Sequence, residues 1–537
     1  EQVREYTEKW YQHEEFDPET RDKEVKEFLS VTELIDTELV SNPLLLSLII
    51  ILFRNNLKLP ESKLEIYQSC TKTLVEKWDQ TKGLKIELNE EVSKKKETLF
   101  ADLAFWQYEA QSIEEKRITN KLATAEIAKS IINKLKITDD WIEGQALAEE
   151  FINYAQKRSL YFDNSFTHKT FLEYYTAYWI YSNIEKKLKK EDRNDIIAKY
   201  IANSYWYIVL ELLINMIDQD QADYEIINEL YEEQAARSIE ALPFLIDIFN
   251  GLKNISVQTI RNLLYTSLNF VSNNEKRNNA ESSLPQRIYQ SIGRFISFPN
   301  LAVLFTEIFV DFQLKSKLDD KEYKRLLLFF LELHHREKLK SVSPLDSVQD
   351  KERLRKLVDS DRHVYSVYRS IVGIRPWDSL EEMEYQLSQF GDSSFYNNTS
   401  LMYENSFFLS PINTFFHAYF SNERIANFGT NLKHLFSKGL SKINFFKKLK
   451  TENYFLSMIK PKAVLEAYQN ENDPLIKAII VIIVWKVINR KSQGNIRNSP
   501  YHQLLSEVDF KDYLQVEEID TLFDKLSEHY NIKMYLP

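Results

Sequence analysis

The sequence predicts an all-α fold relieved by one small winged-helix β-hairpin and ending in a C-terminal helical array. Three observations predict it. Helix breakers are scarce, with 9 Gly and 13 Pro in 537 residues, which favours long helices over a sandwich or a propeller. Apolar residues recur three and four positions apart through most of the chain, the period of a helix face. One short segment instead reads as a strand at 159–162 and a tight turn at 163–165, a hairpin-like element between helices. Hydrophobic residues make up 44% and charged residues 28%, an ordinary globular balance with room for several domains.

The elements follow in chain order. Residues 1–36 are helical in spacing and heavily charged, with Val25, Phe28 and Leu29 as an apolar stripe. Asn42-Pro43 opens a new helix, since Asn caps well and Pro loses nothing in the first turn. That helix, 44–53, is apolar nearly all round and is expected to be buried. Asn55-Asn56 breaks it and Pro60 opens the next, whose face is Leu64, Tyr67, Cys70, Leu74 and Trp78, with Gly83 ending it. A helix over about 89–113 carries Leu99, Leu103, Phe105 and Trp106. Thr124 is the expected N-cap of a helix bearing Ile127, Ile131 and Leu135. Leu147, Phe151 and Tyr154 mark another. Residues 159–162 read as a strand and Asp163-Asn164-Ser165 as a tight turn, and Phe166 leads into a helix over 167–181. Helices, a hairpin-like element and a further helix suit a winged-helix domain. The Lys-rich run at 186–190 reads as a solvated boundary. Beyond it the chain reads as helices joined by loops near 217–222, 272–286, 341–350, 389–400 and 489–500, with no repeat of fixed period.

Charge and cysteine content narrow the function classes. The net charge of -11 disfavours nucleic acid and anionic membranes as global partners. A lone cysteine, Cys70, allows no internal disulfide and no Cys-based metal site, so a reducing, cytoplasmic compartment is expected. The longest apolar runs, 44–53 and 478–485, fall short of the ~20 residues of a membrane span. The chain opens on Glu1 inside a charged helical pattern, and we expect it to be a piece of a longer polypeptide.

Two stretches go beyond generic helix. The first runs Leu39-Val40-Ser41-Asn42-Pro43-Leu44-Leu45-Leu46-Ser47-Leu48-Ile49, then Leu59-Pro60-Glu61-Ser62, then Ile66-Tyr67-Gln68-Ser69-Cys70 and on to Glu76-Lys77-Trp78-Asp79. It resembles the passage from the small helical domain into the winged helix of NACHT-type signalling NTPases, the NLR-like STAND proteins. The second, Phe166-Thr167-His168-Lys169-Thr170-Phe171-Leu172-Glu173-Tyr174-Tyr175-Thr176-Ala177, resembles the phenylalanine–x–histidine–x–x–phenylalanine–x–glutamate–tyrosine signature near the end of the same winged helix. The opening helix at 3–10 also looks like the end of a NACHT core.

The resemblance covers residues 1–185 and fades through about 250. It implies the end of the NACHT core and first helical domain over 1–57, a winged helix over 58–185, a second helical domain over 186–260 and a helical sensor over 261–537. It implies a switch held closed by ADP, opened by a trigger, and supported by ATP with Mg²⁺ in an oligomerising form that drives an effector. In that scheme Pro43 lines the adenine pocket and His168 reaches the β-phosphate. The implied partners are an upstream NTPase core and effector, further copies of the same protein, and a foreign, phage-type protein as trigger, in antiviral defence. The chain departs from the family in having no GxxxxGK[ST] phosphate loop. The catalytic core and effector are therefore expected upstream of Glu1 or are absent, no nucleotide is expected to be held by this chain alone, and no residue is assigned a catalytic or metal role. The rival reading is a standalone α-helical protein-binding scaffold without nucleotide.

Each candidate has a plainer reading beside it. Pro43 also serves simply to start a buried helix. His168 also suits a structural histidine between Phe166 and Phe171. His334 and His335 are adjacent and point to different helix faces. Asp359, Asp361 and His363 have the residue types of a metal or nuclease cluster, but their spacing is common by chance and suits a solvated loop better. Lys433, Lys438, Lys442, Lys447, Lys448, Lys450, Lys460 and Lys462 alternate with Phe436, Phe445, Phe446, Tyr454 and Phe455. That mixture could bind single strands by stacking and charge, although lysines on the wet face of a helix pair explain it more simply.

Because the phosphate loop is missing, the purified 1–537 chain is expected to show no ATPase activity above a blank. A malachite-green assay checks this, and Mg²⁺-dependent turnover surviving repurification would contradict it.

Overall fold

The computed structural model describes residues 2–15, 17–32, 40–41, 43–56, 63–73, 75, 88–112, 119–157, 160–187, 189–220, 224–274, 283–335, 347–371, 379–396, 415, 419, 427–451, 461–473, 476–477, 479–480 and 483. The fold is all-α with one small antiparallel β-hairpin. The chain divides into two compact units, Glu1–Leu263 and Leu264–Pro537. Asn42, Pro60, Leu74, Trp78, Gly83 and most of the 478–485 run lie outside the described residues.

The first unit opens with α1 (Gln2–Glu14), α2 (Pro18–Thr32) and α3 (Pro43–Asn56). α3 is the apolar helix of the sequence, and Leu45, Leu46, Leu48, Ile49, Ile50, Leu52 and Phe53 are all buried. Phe28 of α2 meets Phe53 edge to face at 5.5 Å. Arg54, at the end of α3, donates to the Glu14 carbonyl and pairs with Glu15 and Glu24. That single guanidinium ties the end of α3 to the end of α1 and the middle of α2. α4 (Lys63–Lys72) then packs against α3.

The next layer is α5 (Glu90–Lys94), α6 (Lys96–Ser112), α7 (Asn120–Lys129), α8 (Trp141–Lys157), the hairpin β1 (Tyr161–Phe162) and β2 (Ser165–Phe166), and α9 (Lys169–Asn183). Tyr161 pairs with Phe166 and Phe162 with Ser165. Asp163 and Asn164 both take positive φ, 46° and 66°, as a two-residue hairpin turn demands and as these residue types tolerate. Four aromatics gather where α6, α8, β2 and α9 meet. Phe100 lies 4.8 Å from Phe151, 5.4 Å from Tyr175 and 6.5 Å from Phe166.

Three expectations are corrected here. The helix expected over 89–113 is two helices, because Lys95 leaves helical geometry at φ -112° and ψ 9°. Thr119, and not Thr124, caps α7 by accepting from the Leu122 N–H, while the Thr124 hydroxyl donates back to the Asn120 carbonyl inside the helix. Both are threonines near a helix start, and only the backbone turn at φ -131° distinguishes the cap. The helix expected to begin at 167 begins at Lys169, with His168 as its N-cap. α7 also runs on into a π-helical turn, Ser130–Lys134.

The chain continues with α10 (Lys190–Tyr200), α11 (Tyr207–Asp220), α12 (Glu225–Arg237), α13 (Leu242–Ile248) and α14 (Val257–Asn273), the division between the two units falling within α14. Buried Asp218 accepts from the Lys253 and Asn254 N–H groups at 2.8 Å each and so fixes the connection into α14.

The second unit contains α15 (Leu284–Phe295), α16 (Pro299–Lys315), α17 (Asp320–His335), α18 (Lys351–Ser360), α19 (Arg362–Ile371), α20 (Leu380–Phe390), α21 (Ser393–Tyr396), α22 (Phe428–Ser437), α23 (Lys442–Thr451) and α24 (Pro461–Asn470). Its core is aromatic too, with Phe309 and Phe330 stacked at 3.8 Å. Gly391 ends α20 at φ 73°, a left-handed position that favours glycine. No helix among the described residues is long and apolar enough to cross a membrane.

Truncating Phe100 to Ala is expected to cost about 3–5 kcal/mol, the usual range for a fully buried phenylalanine. Phe162→Ala, at a side chain 69% exposed on the hairpin, should stay within about 0.5 kcal/mol. Urea unfolding of the two variants side by side checks the ranking, and equal effects would refute the assigned core.

Candidate functional site

Pro43 occupies the first turn of α3, exposed, with its carbonyl accepting from the Ser47 hydroxyl at 2.9 Å. Ser47 in turn shares a 2.6 Å hydrogen bond with the Tyr6 hydroxyl of α1. A chain of polar contacts thus links the backbone at the start of α3 to the opening helix.

His168 is half-buried at the N-cap of α9. Its backbone carbonyl accepts from the Phe171 and Leu172 N–H groups at 3.1 and 3.4 Å. Its ring makes no capping hydrogen bond and lies 6.3 Å from Phe171, edge to face. Burial pushes its pKa below the ordinary histidine value, because the surroundings disfavour the charged form. The neighbouring Lys169 reaches Glu173 at 3.2 Å and lies over the Tyr205 ring at 5.0 Å. The other signature residues have packing roles: Phe166 against Tyr161 and Phe100, and Tyr174 against Tyr178. Pro43 and His168 stand on helices that share one neighbour, since α4 packs against both α3 and α9.

A groove of about 640 Å³ lies along α1 and α2, lined among others by Arg4, Glu8, Gln12, Asp22, Val25 and Lys26. Neither Pro43 nor His168 lines it. Sequence reading missed it, although Arg4, Glu8 and Gln12 recur at the four-residue spacing of one helix face. The groove presents charges of both signs over half-buried Val25 and Leu29.

The remaining candidates resolve into structural roles. Asp361 caps α19, accepting from the His363 and Val364 N–H groups, and pairs with Lys324. Asp359 faces Tyr385 instead, and His363 faces Glu332 at 3.3 Å. The three do not converge, and no group of three His, Cys, Asp or Glu side chains suited to a metal occurs among the described residues. In the basic stretch, Lys433 pairs with Glu471 and Asp473, Lys438 with Glu384, and Phe445 is buried against Phe436. Lys460, Tyr454 and Phe455 lie outside the described residues, as do the side chains of Lys447, Lys450 and Lys462. Cys70 is buried, which pushes its thiol up to about 12 and leaves it a core residue.

His334 is buried against Phe330 at 4.6 Å, with Nε2 lacking a hydrogen-bond partner among the described residues. Burial brings its pKa down to about 4.

No protein-family model, no curated protein and no solved structure matches the chain.

The His334 environment sets a pH dependence. Its folded-state pKa lies below the unfolded value, so between pH 6.5 and about 4 the unfolded chain holds a proton that the folded chain refuses. Its contribution is present above pH 6.5 and is lost as the pH falls towards 4, to a total of about 3 kcal/mol. Chemical unfolding of the wild type and of His334→Leu at pH 7, 5.5 and 4 isolates this effect. The variant should lose less stability on acidification, and parallel curves would exclude His334 as the cause.

Proposed function

We propose that this chain is the regulatory and sensing portion of a nucleotide-switched NACHT ATPase of the STAND class, serving in antiphage or innate-immune-type signalling. The observation that supports the reading is the setting of His168 within the 166–177 signature. Its ring is half-buried, lacks a hydrogen-bond partner among the described residues, and stands at the start of a fifteen-residue helix. A helix start favours an anion through its free N–H groups and its dipole. An imidazole with no other partner can donate its ring N–H to a phosphate oxygen, which accepts.

In this reading an upstream core holds ADP, and ATP with Mg²⁺ replaces it on activation. Pro43 offers the base a flat apolar ring with no N–H to desolvate. His168 donates to the β-phosphate and keeps the closed form closed. Residues 261–537 serve as the sensor. Their aromatic-rich helices suit a foreign protein as trigger, because aromatic anchors bury large areas at low entropy cost. Release of the closed form permits self-association and engages the effector.

The test is His168→Ala in the intact parent protein. A charged hydrogen bond of about 1.5–3 kcal/mol is removed, enough to shift a two-state balance roughly tenfold or more. The variant is expected to signal without a trigger and to release ADP faster. A variant that stays folded, silent and inducible like the wild type would show that His168 does not hold the switch.

A further inference from the structure

Between the end of the signature helix and the helices that follow, the structure places charge where a core would normally be apolar. The short 3-10 turn Glu185–Lys187 directly follows α9. Its Glu185 accepts from Arg193 Nη1 of α10 at 2.9 Å, with the arginine side chain 2% and the glutamate 15% exposed. Arg193 Nε donates to the adjacent Asn194 Oδ1 at 2.8 Å, while Nη2 is buried without an acceptor among the described residues. Asn194, also buried, carries the network onward: its side chain donates to Glu233 of α12, and its carbonyl accepts from Gln234 Nε2 at 3.1 Å.

The same seam continues outward as ion pairs. Lys190 meets Glu229, and Arg237 bridges Asp195 and Glu233 at 2.6 Å each. Successive partners advance together along both helices, so α10 and α12 lie side by side in the same direction. Polar pairs run the length of the α10–α12 seam beside buried Ile197, Ile227 and Leu230 of the same helices, whereas α9 buries Phe171, Leu172, Tyr174, Tyr175, Ala177 and Ile180. Greasy faces tolerate sliding and repacking. A buried guanidinium does not, because any displacement from its carboxylate leaves an uncompensated charge out of water.

We propose that the Arg193–Glu185 pair is a latch that registers the α10–α12 pair against the end of α9, and that losing it frees α10 and α12 as one body while the α6–α9 core stays folded. Arg193 is a positioning residue in this device. The latch stands on the packing alone and does not rest on the nucleotide reading. It gives the segment two states, one with the guanidinium paired and buried and one with the seam open to water. The outer ion pairs are exposed and individually weak, so they follow the latch and do not replace it.

Amide hydrogen exchange of the full 1–537 chain, read by segment, tests this. In Glu185→Gln, exchange across 190–200 and 225–237 is expected to quicken at least about tenfold, while 96–112 and 169–183 keep wild-type rates. The double variant Glu185→Gln/Arg193→Met, which removes the stranded charge and keeps its bulk, should restore protection towards the wild type. Glu185→Asp keeps the charge but shortens the reach, gives the same order at smaller size, and serves if Glu185→Gln does not fold. Exchange rising equally in 96–112 and 169–183 would make the pair an ordinary part of one cooperative core. Unchanged exchange, or a double variant no better protected than Glu185→Gln, would also overturn the latch.

Discussion

The packing of α6 against α9 is the constraint on which the first unit depends. Phe100 stacks on Tyr175 at 5.4 Å, and both rings are fully buried. Everything around the hairpin takes its position from that contact. Phe151 brings α8 onto the same ring, and Phe166 brings β2 onto it. His168 follows Phe166 by two residues, so its place at the head of α9 is set by an aromatic core that it does not itself enter. The Tyr154 hydroxyl reaches the Val75 carbonyl at 3.3 Å, so the layer beyond α4 is keyed to the same framework.

Polar burial complements this aromatic framework. In α1–α3, Arg54 joins three helices through two carboxylates and a carbonyl. In α10–α12, Arg193 performs a related task in deeper burial. Asp218 does so with its carboxylate towards two backbone N–H groups. Each of these groups must be met by a partner in one geometry, and each stands at a junction between helices. Apolar contacts provide the cohesion of the unit, and these few charged side chains define its angles.

The fold class was legible because it rests on period and on breakers. The apolar run at 44–53, the Leu147–Phe151–Tyr154 face and the Asp163-Asn164 turn are all written locally, and each survives in the structure. Boundaries were less legible. Thr119 and Thr124 are equally good caps as letters, and the backbone at Thr119 decides between them. Lys95 carries no breaker signal at all, yet it ends α5. The setting of His168 was partly legible from its flanking phenylalanines, but its lack of a side-chain partner depends on packing that no spacing reveals. The Arg193 network was invisible because Arg193, Asn194 and Glu233 look like ordinary solvated helix letters. The α1–α2 groove had a trace in the four-residue spacing of its charges, but grooves form only where two helices splay.

The π-helical turn Ser130–Lys134 has a consequence for the history of the chain. A turn of this kind holds one residue more than the α-helix around it. That residue places Lys134 where its ammonium binds Asp102, a buried carboxylate that also accepts from the Trp179 indole at 2.7 Å. Removing one residue from the turn would wind everything after it by about 100° and carry the lysine off the carboxylate. Length at this point is therefore under a geometric restraint of its own, beside the burial of Ile131 and the ion pair of Lys134. Relatives of this chain should gain or lose no residue between 130 and 134, and should keep a cation at 134 and an apolar side chain at buried Ile131.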